Sequence, residues 1–152
     1  MKGRMGLVGH LRKLLGQVLK DKPVAAAYLY GSAARGEMTP LSDVDIGLLI
    51  RGPLSLLGKL DLELSVEVEL ASLGCGLSDV RVVNEAPIAL RGELATEGIL
   101  LYSADESERV EFETRARREY FDFLPFLERL RESYVRPSSD SEKHNQERHT
   151  RG

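Results

Sequence analysis

The chain has 152 residues, 42% of them hydrophobic and 30% charged, with a formal net charge of −3. That length and balance fit one globular domain with its own core, and the small acidic surplus excludes a basic coat for general nucleic-acid binding. A single cysteine, Cys75, excludes an internal disulfide and a cysteine-based zinc site, and no apolar run approaches the roughly 18 residues of a membrane span.

Near the N-terminus, His10, Arg12 and Lys13 interrupt the apolar residues, which argues against a secretory signal and for a cytoplasmic chain. Leu7, Leu11, Leu14 and Val18 recur at helical spacing beside Val8, Leu15 and Leu19, which predicts an amphipathic helix from Gly6 to Lys20. Pro23 ends it, because the residue before a proline is pushed out of helical geometry. Val24–Tyr30 reads as a buried strand whose small residues let a helix pack close, and Gly31 stops it. Ala33–Glu37 suits a short helical turn with Ser32 as its N-cap. Pro40 and Ser42 mark a loop, and Val44–Ile50 is a second buried strand.

Residues 53–73 carry two signals at once. Asp61 to Leu70 alternates polar and apolar, the mark of a half-exposed strand. Leu56, Leu57, Leu60, Leu64, Val68 and Ala71 also fit one helical face, and Pro53 suits a helix start. Gly74 and Gly76 then break the chain around Cys75, a small structural thiol with no histidine near it in sequence. Leu77–Val83 is a third strand, Ala86–Thr96 a helix stopped by Gly98, and Ile99–Tyr102 a short fourth strand. A long helix follows from Asp105 to Val135, capped by Asp105 or Ser107 and bent at Pro125. Residues 136–152 contain no large aliphatic or aromatic residue, so a domain over 1–135 is expected to end in a disordered polar tail.

The chemistry is concentrated between the first two strands. Gly31 and Ser32 close the first, and ten residues later Asp43 and Asp45 stand at i and i+2 at the mouth of the second. Side chains two apart on a strand share a face, so both carboxylates can reach one object. Magnesium is held by one or two carboxylates plus substrate phosphates, and a glycine-containing turn offers backbone N–H groups to a phosphate tail. The arrangement suits a metal-bound nucleoside triphosphate.

The pattern G-S-x10-D-x-D, with Arg35-Gly36 inside it and Ser42 before the first aspartate, resembles the nucleotidyltransferases of the DNA polymerase β superfamily. It is most similar to their smallest members, the minimal nucleotidyltransferase (MNT) antitoxins paired with HEPN-type toxins. The resemblance spans roughly residues 6–130 and is sharp over 31–47 and 77–87. It implies an α/β (α+β) core with a small mixed sheet of about four strands, flanking helices and a long C-terminal helix. It also favours helix over strand for residues 53–73.

The resemblance further implies a third carboxylate on the next strand, and Asp79 fits in Leu-Ser-Asp-Val-Arg-Val-Val-Asn-Glu-Ala-Pro. Asp43, Asp45 and Asp79 are therefore the expected catalytic and metal-binding residues for two Mg²⁺ ions, with ATP as substrate. Gly31, Ser32 and Arg35 are the expected nucleotide-binding residues. Arg81 departs from the pattern, since an ion pair with Asp79 would weaken that carboxylate as a base. The implied activity is transfer of AMP to a hydroxyl, typically a tyrosine, of a partner HEPN toxin. A non-catalytic antitoxin that neutralises by binding and a transferase acting on a small molecule are the alternatives. Whether the chain forms a homo- or hetero-oligomer stays open.

Other features add less. His144 and His149 sit in the polar tail, and Arg4 with His10 matches the HEPN ribonuclease spacing only formally. Arg115, Arg117, Arg118, Arg129, Arg131 and Arg136 concentrate positive charge near the C-terminus among Glu111, Glu113, Glu119, Glu128 and Glu132. A solvated helix face and a docking surface for a partner are both consistent with that pattern. Tyr120, Phe123, Phe126 and Leu127 give this helix more apolar surface than one amphipathic face needs.

Overall fold

The computed structural model describes residues 4–37 and 43–135. Its elements run α1 (Arg4–Val18), β1 (Val24–Tyr30), β2 (Val44–Ile50), α2 (Leu56–Ser72), β3 (Ser78–Val82), α3 (Ile88–Thr96), β4 (Ile99–Ser103) and α4 (Glu106–Val135). The strands form a mixed sheet in the order β3-β2-β1-β4, in which β1 is antiparallel to β2 and β4 while β2 is parallel to β3. The expected tail, 136–152, lies outside the described residues.

All seven residues of β1 are buried, because the strand has a neighbour on each side and helices over both faces. On one face Leu11 and Leu15 of α1 and Val66 and Leu70 of α2 pack with Leu29, Ile46 and Leu48. On the other, Tyr28, Leu49 and Val83 pack with Leu94 of α3 and Phe112 of α4. Gly92 of α3 lies directly under Tyr120 of α4, whose ring fills the space a Cβ would need. Asp105 caps α4 by accepting from the Glu108 N–H at 3.1 Å, and Pro125 lies inside that helix.

Residues 56–72 are helical, but not on the face the leucine spacing suggested. Leu62, Val66 and Leu70 are buried, whereas Leu56, Leu57, Leu60, Leu64 and Val68 are 52–77% exposed. Two residues along a helix turn about 200°, so a period-two apolar pattern places leucines on opposite sides. The intervening glutamates explain the choice. Glu67 accepts from the Val80 N–H at 2.9 Å and Glu63 from the Val82 N–H at 2.7 Å. The carboxylates thus satisfy the outer edge of β3 where another strand would otherwise pair. The helix starts at Leu56 with Ser55 as its cap, accepting from the Gly58 N–H at 3.0 Å, and Pro53 stands before it.

Candidate functional site

The site lies where β1 ends beside the start of β2. Gly31 has a φ of +72°, and a Cβ built on it would lie 2.5 Å from Asp45 Oδ2. Both facts require glycine: the backbone is left-handed, and a side chain would occupy the space over the carboxylate. The following residues form successive turns that include a single uncontinued helical turn. The Arg35 N–H donates to the Gly31 carbonyl at 3.3 Å and the Glu37 N–H to the Ser32 carbonyl at 2.8 Å. Ala33 and Ala34 are buried in the core and anchor the turn to the body.

Asp43 immediately precedes β2 and is exposed, while Asp45 is half-buried within the strand. In register, Asp45 stands opposite Tyr30 of β1 on one side and Asp79 of β3 on the other. Directly opposed residues share a face of the sheet, so the two carboxylates are neighbours. Burial pushes the Asp45 carboxyl above its ordinary value, Asp79 adds to the rise, and Arg81 opposes it. The Tyr30 phenol is pushed up to about 12, mainly by burial; Arg81 opposes this, while Asp45, Asp79 and Glu93 reinforce it. Arg81 shares Asp79's face and pairs with it through two contacts, Nη2–Oδ2 at 3.2 Å and Nε–Oδ1 at 3.4 Å. The ion pair anticipated from the sequence is therefore present.

Among the described residues, no group of three or more His, Cys, Asp and Glu side chains is gathered tightly enough to hold a metal ion. The fold brings Asp45 and Asp79 together as a pair and leaves Asp43 two residues upstream on the approach to the strand. This donor set still fits a hard divalent cation, which binds carboxylate oxygens and would offset both the burial and the added repulsion that raise Asp45. The absence of a Cβ at Gly31 brings the glycine turn and the Asp45 carboxylate into direct contact, so a cation held by Asp45 would lie beside the turn.

Two side chains at the site were not found in the sequence. Tyr30 was visible only as part of a buried strand, yet it faces Asp45. Glu93 of α3 accepts from the Gly31 N–H at 3.1 Å and lies 3.6 Å from Arg35 Nη1. Its position in the sequence gives no signal, because only the return of α3 beneath the end of β1 brings it there. Arg35 also donates to Glu37 at 3.0 Å. Along the free edge of β3, a groove of about 550 Å³ is lined by Leu60, Glu63, Leu64, Glu67, Asp79 and Arg81, among others. No helix of the described residues is long and apolar enough to cross a membrane.

The family model described as polymerase beta, nucleotidyltransferase matches residues 13–107, more than half of the chain and all of the site just described. None of the curated proteins matches. Among solved structures, a toxin–antitoxin with AMP-PNP superposes with a TM-score of 0.62 at 20% identity, covering 82% of this chain and 98% of that one. A tri-AMPylated Shewanella oneidensis HEPN toxin in complex with MNT antitoxin gives 0.59 at 17% identity, covering 84% and 98%. The toxin–antitoxin MntA–HepT gives 0.58 at 18% identity over the same shares. These likenesses establish a common fold.

Proposed function

The chain belongs to the polymerase β nucleotidyltransferase family, and we propose that it transfers AMP from ATP to a hydroxyl, a tyrosine among the candidates, on a HEPN-type toxin whose antitoxin it is. The observation that carries this reading is the pairing of Asp45 with Asp79 beside Gly31, whose missing side chain lets the Asp45 carboxylate lie directly against the turn. The solved complexes support the choice of partner, since one contains an AMPylated HEPN toxin with its MNT antitoxin and another contains AMP-PNP.

In the proposed reaction the acceptor oxygen forms a bond to the α-phosphorus of ATP. The bond from that phosphorus to the bridging oxygen breaks, pyrophosphate leaves, and the hydroxyl proton passes to a carboxylate. Asp79 is the candidate, acting as a base only when the acceptor draws it from its ion pair with Arg81, which otherwise weakens it. Asp43, Asp45 and Asp79 would hold two magnesium ions. When bound, these supply charge neutralisation at the attacking and leaving oxygens. Gly31 offers its N–H to the phosphate tail, Ser32 its hydroxyl and Arg35 its guanidinium fork. Arg81 fixes the orientation of Asp79 through their ion pair. The acceptor approaches along the groove beside β3, because Asp79 and Arg81 line it and its outer wall is the exposed Leu60 and Leu64.

The test is labelled ATP and Mg²⁺ incubated with the full chain and its candidate toxin partner. Asp45→Asn should keep the circular dichroism spectrum and lose transfer by roughly three orders of magnitude, since a charged ligand becomes neutral. Near-normal transfer by that variant would refute the assignment. Toxin neutralisation surviving without transfer would mean that binding alone suffices.

A further inference from the structure

Two of the three donors proposed for the triphosphate tail, the Gly31 N–H and Arg35, are already engaged by a carboxylate of this chain. Glu93 Oε2 takes the Gly31 N–H at 3.1 Å and stands 3.6 Å from Arg35 Nη1, so one anion bridges the turn and its arginine. The placement is built into the packing. Glu93 projects from the last turns of α3, whose neighbouring residue Gly92 seats the Tyr120 ring of α4 and fixes how the helix lies. At 32% exposed, the Glu93 side chain is within reach of an incoming solute. The remaining charges around the turn are mostly negative: Glu37 on Arg35, Asp45 against Gly31, and Asp79 on the adjacent strand.

We propose that Glu93 is a built-in anion that occupies the phosphate cradle and restricts entry to metal-loaded nucleotide. The inference rests on the nucleotidyltransferase reading and assigns a specificity-determining residue to that same site. A triphosphate must displace the Glu93 carboxylate from the Gly31 N–H and from Arg35, exchanging one anion for another. Metal-free ATP brings about four negative charges into this field, and a chelated divalent cation removes two of them. Glu93 thus opposes the free nucleotide more strongly than the complex. The same two contacts tie the turn and Arg35 to α3.

Two substitutions separate charge from hydrogen bonding. Glu93→Gln keeps an oxygen able to accept from Gly31 and loses the charge, whereas Glu93→Ala loses both. Titration calorimetry on the full chain would use a non-hydrolysable ATP analogue, with Mg²⁺ or with EDTA, and inorganic triphosphate with EDTA. Glu93→Gln should bind both metal-free ligands about tenfold more tightly, the effect of removing one nearby like charge. Its affinity for the magnesium complex should change by less than about threefold, because the metal already screens the repulsion. Glu93→Ala should shift the same way, and thermal melts establish that each variant is folded. Unchanged metal-free affinity in Glu93→Gln, weaker binding of every ligand in both variants, or no nucleotide binding by any form would overturn the proposal. Transfer to the toxin partner, measured in the unsubstituted protein, keeps the two hypotheses apart. Binding with the expected variant shifts but without transfer refutes the reaction and leaves the Glu93 role standing. Transfer with no effect of Glu93→Gln does the reverse.

Discussion

Helices α2 and α4 both carry more apolar surface than they bury, yet they spend their charges differently. On α4, acids and bases pair largely along the helix itself: Arg109 with Glu106 and Glu113, Arg115 with Glu111, and Arg117 with Glu113. On α2, Glu63 and Glu67 leave the helix to bond the backbone of β3, and Glu69 pairs with Lys22. Its leucines consequently divide into a core row and an outward row, and the outward row borders the groove that holds Asp79. The exposed Phe121, Phe126 and Tyr134 of α4 have no part in that groove. An apolar surface next to a candidate catalytic carboxylate is better placed to receive an acceptor than one on a self-neutralised helix.

The largest expected effect tests the division within α2. Val66 is fully buried while Leu64, two residues earlier, is 61% exposed. Val66→Asp should cost about 4 kcal/mol or more, through an unpaired buried charge, and leave the protein largely unfolded. Leu64→Asp should change stability by no more than about 0.5 kcal/mol, because it removes little packing. Urea denaturation followed by circular dichroism compares them. Equal losses would mean that both rows are packed.

The next effect tests the division between the helices. Leu64→Asp should reduce AMP transfer to the toxin partner by about 30-fold, a typical cost for one central apolar contact. Phe126→Asp, on the outward side of α4, should change it by less than about threefold, as expected for a residue outside the contact. Both variants should keep the unsubstituted affinity for the magnesium complex of the ATP analogue. The opposite ranking would make α4 the docking helix and the α2 groove incidental.

What the sequence yielded, and what it withheld, follows the same contrast. β1 and β2 were legible because buried strands leave long apolar runs, bounded by Gly31 and Asp43 and interrupted in β2 by Asp45. The Gly31–Asp45 juxtaposition followed from spacing, since a glycine turn and a strand mouth have little freedom once β1 and β2 pair. The existence of α2 was legible, but its orientation was not. Three i, i+4 rows of that helix are apolar or acidic in ways that local pattern cannot rank. The sheet edge decides among them, because the N–H groups of Val80 and Val82 need acceptors and Glu67 and Glu63 supply them. Glu93 was hidden for a similar reason. Its partners are 62 and 58 residues away in sequence, and nothing in Gly-Glu-Leu marks a residue that reaches Gly31 and Arg35.

The smallest expected effect concerns what a glutamate contributes on each helix. The Glu67–Val80 bond is partly buried and satisfies a backbone donor on an open strand edge. Glu67→Ala should therefore cost about 1–2 kcal/mol, the range for losing a charge-assisted acceptor of a donor shielded from water. The Arg115–Glu111 pair on α4 spans 3.4 Å with both side chains at least 65% exposed. Glu111→Ala should cost less than about 0.5 kcal/mol, because an exposed i, i+4 pair gains little over solvent. Removing Glu67 also uncovers an N–H on a free edge, so that variant, and not Glu111→Ala, should show concentration-dependent association in sedimentation velocity. If both glutamates cost the same few tenths of a kcal/mol and neither variant associates, water replaces the carboxylate at the β3 edge. The orientation of α2 then rests on Leu62, Val66 and Leu70 alone.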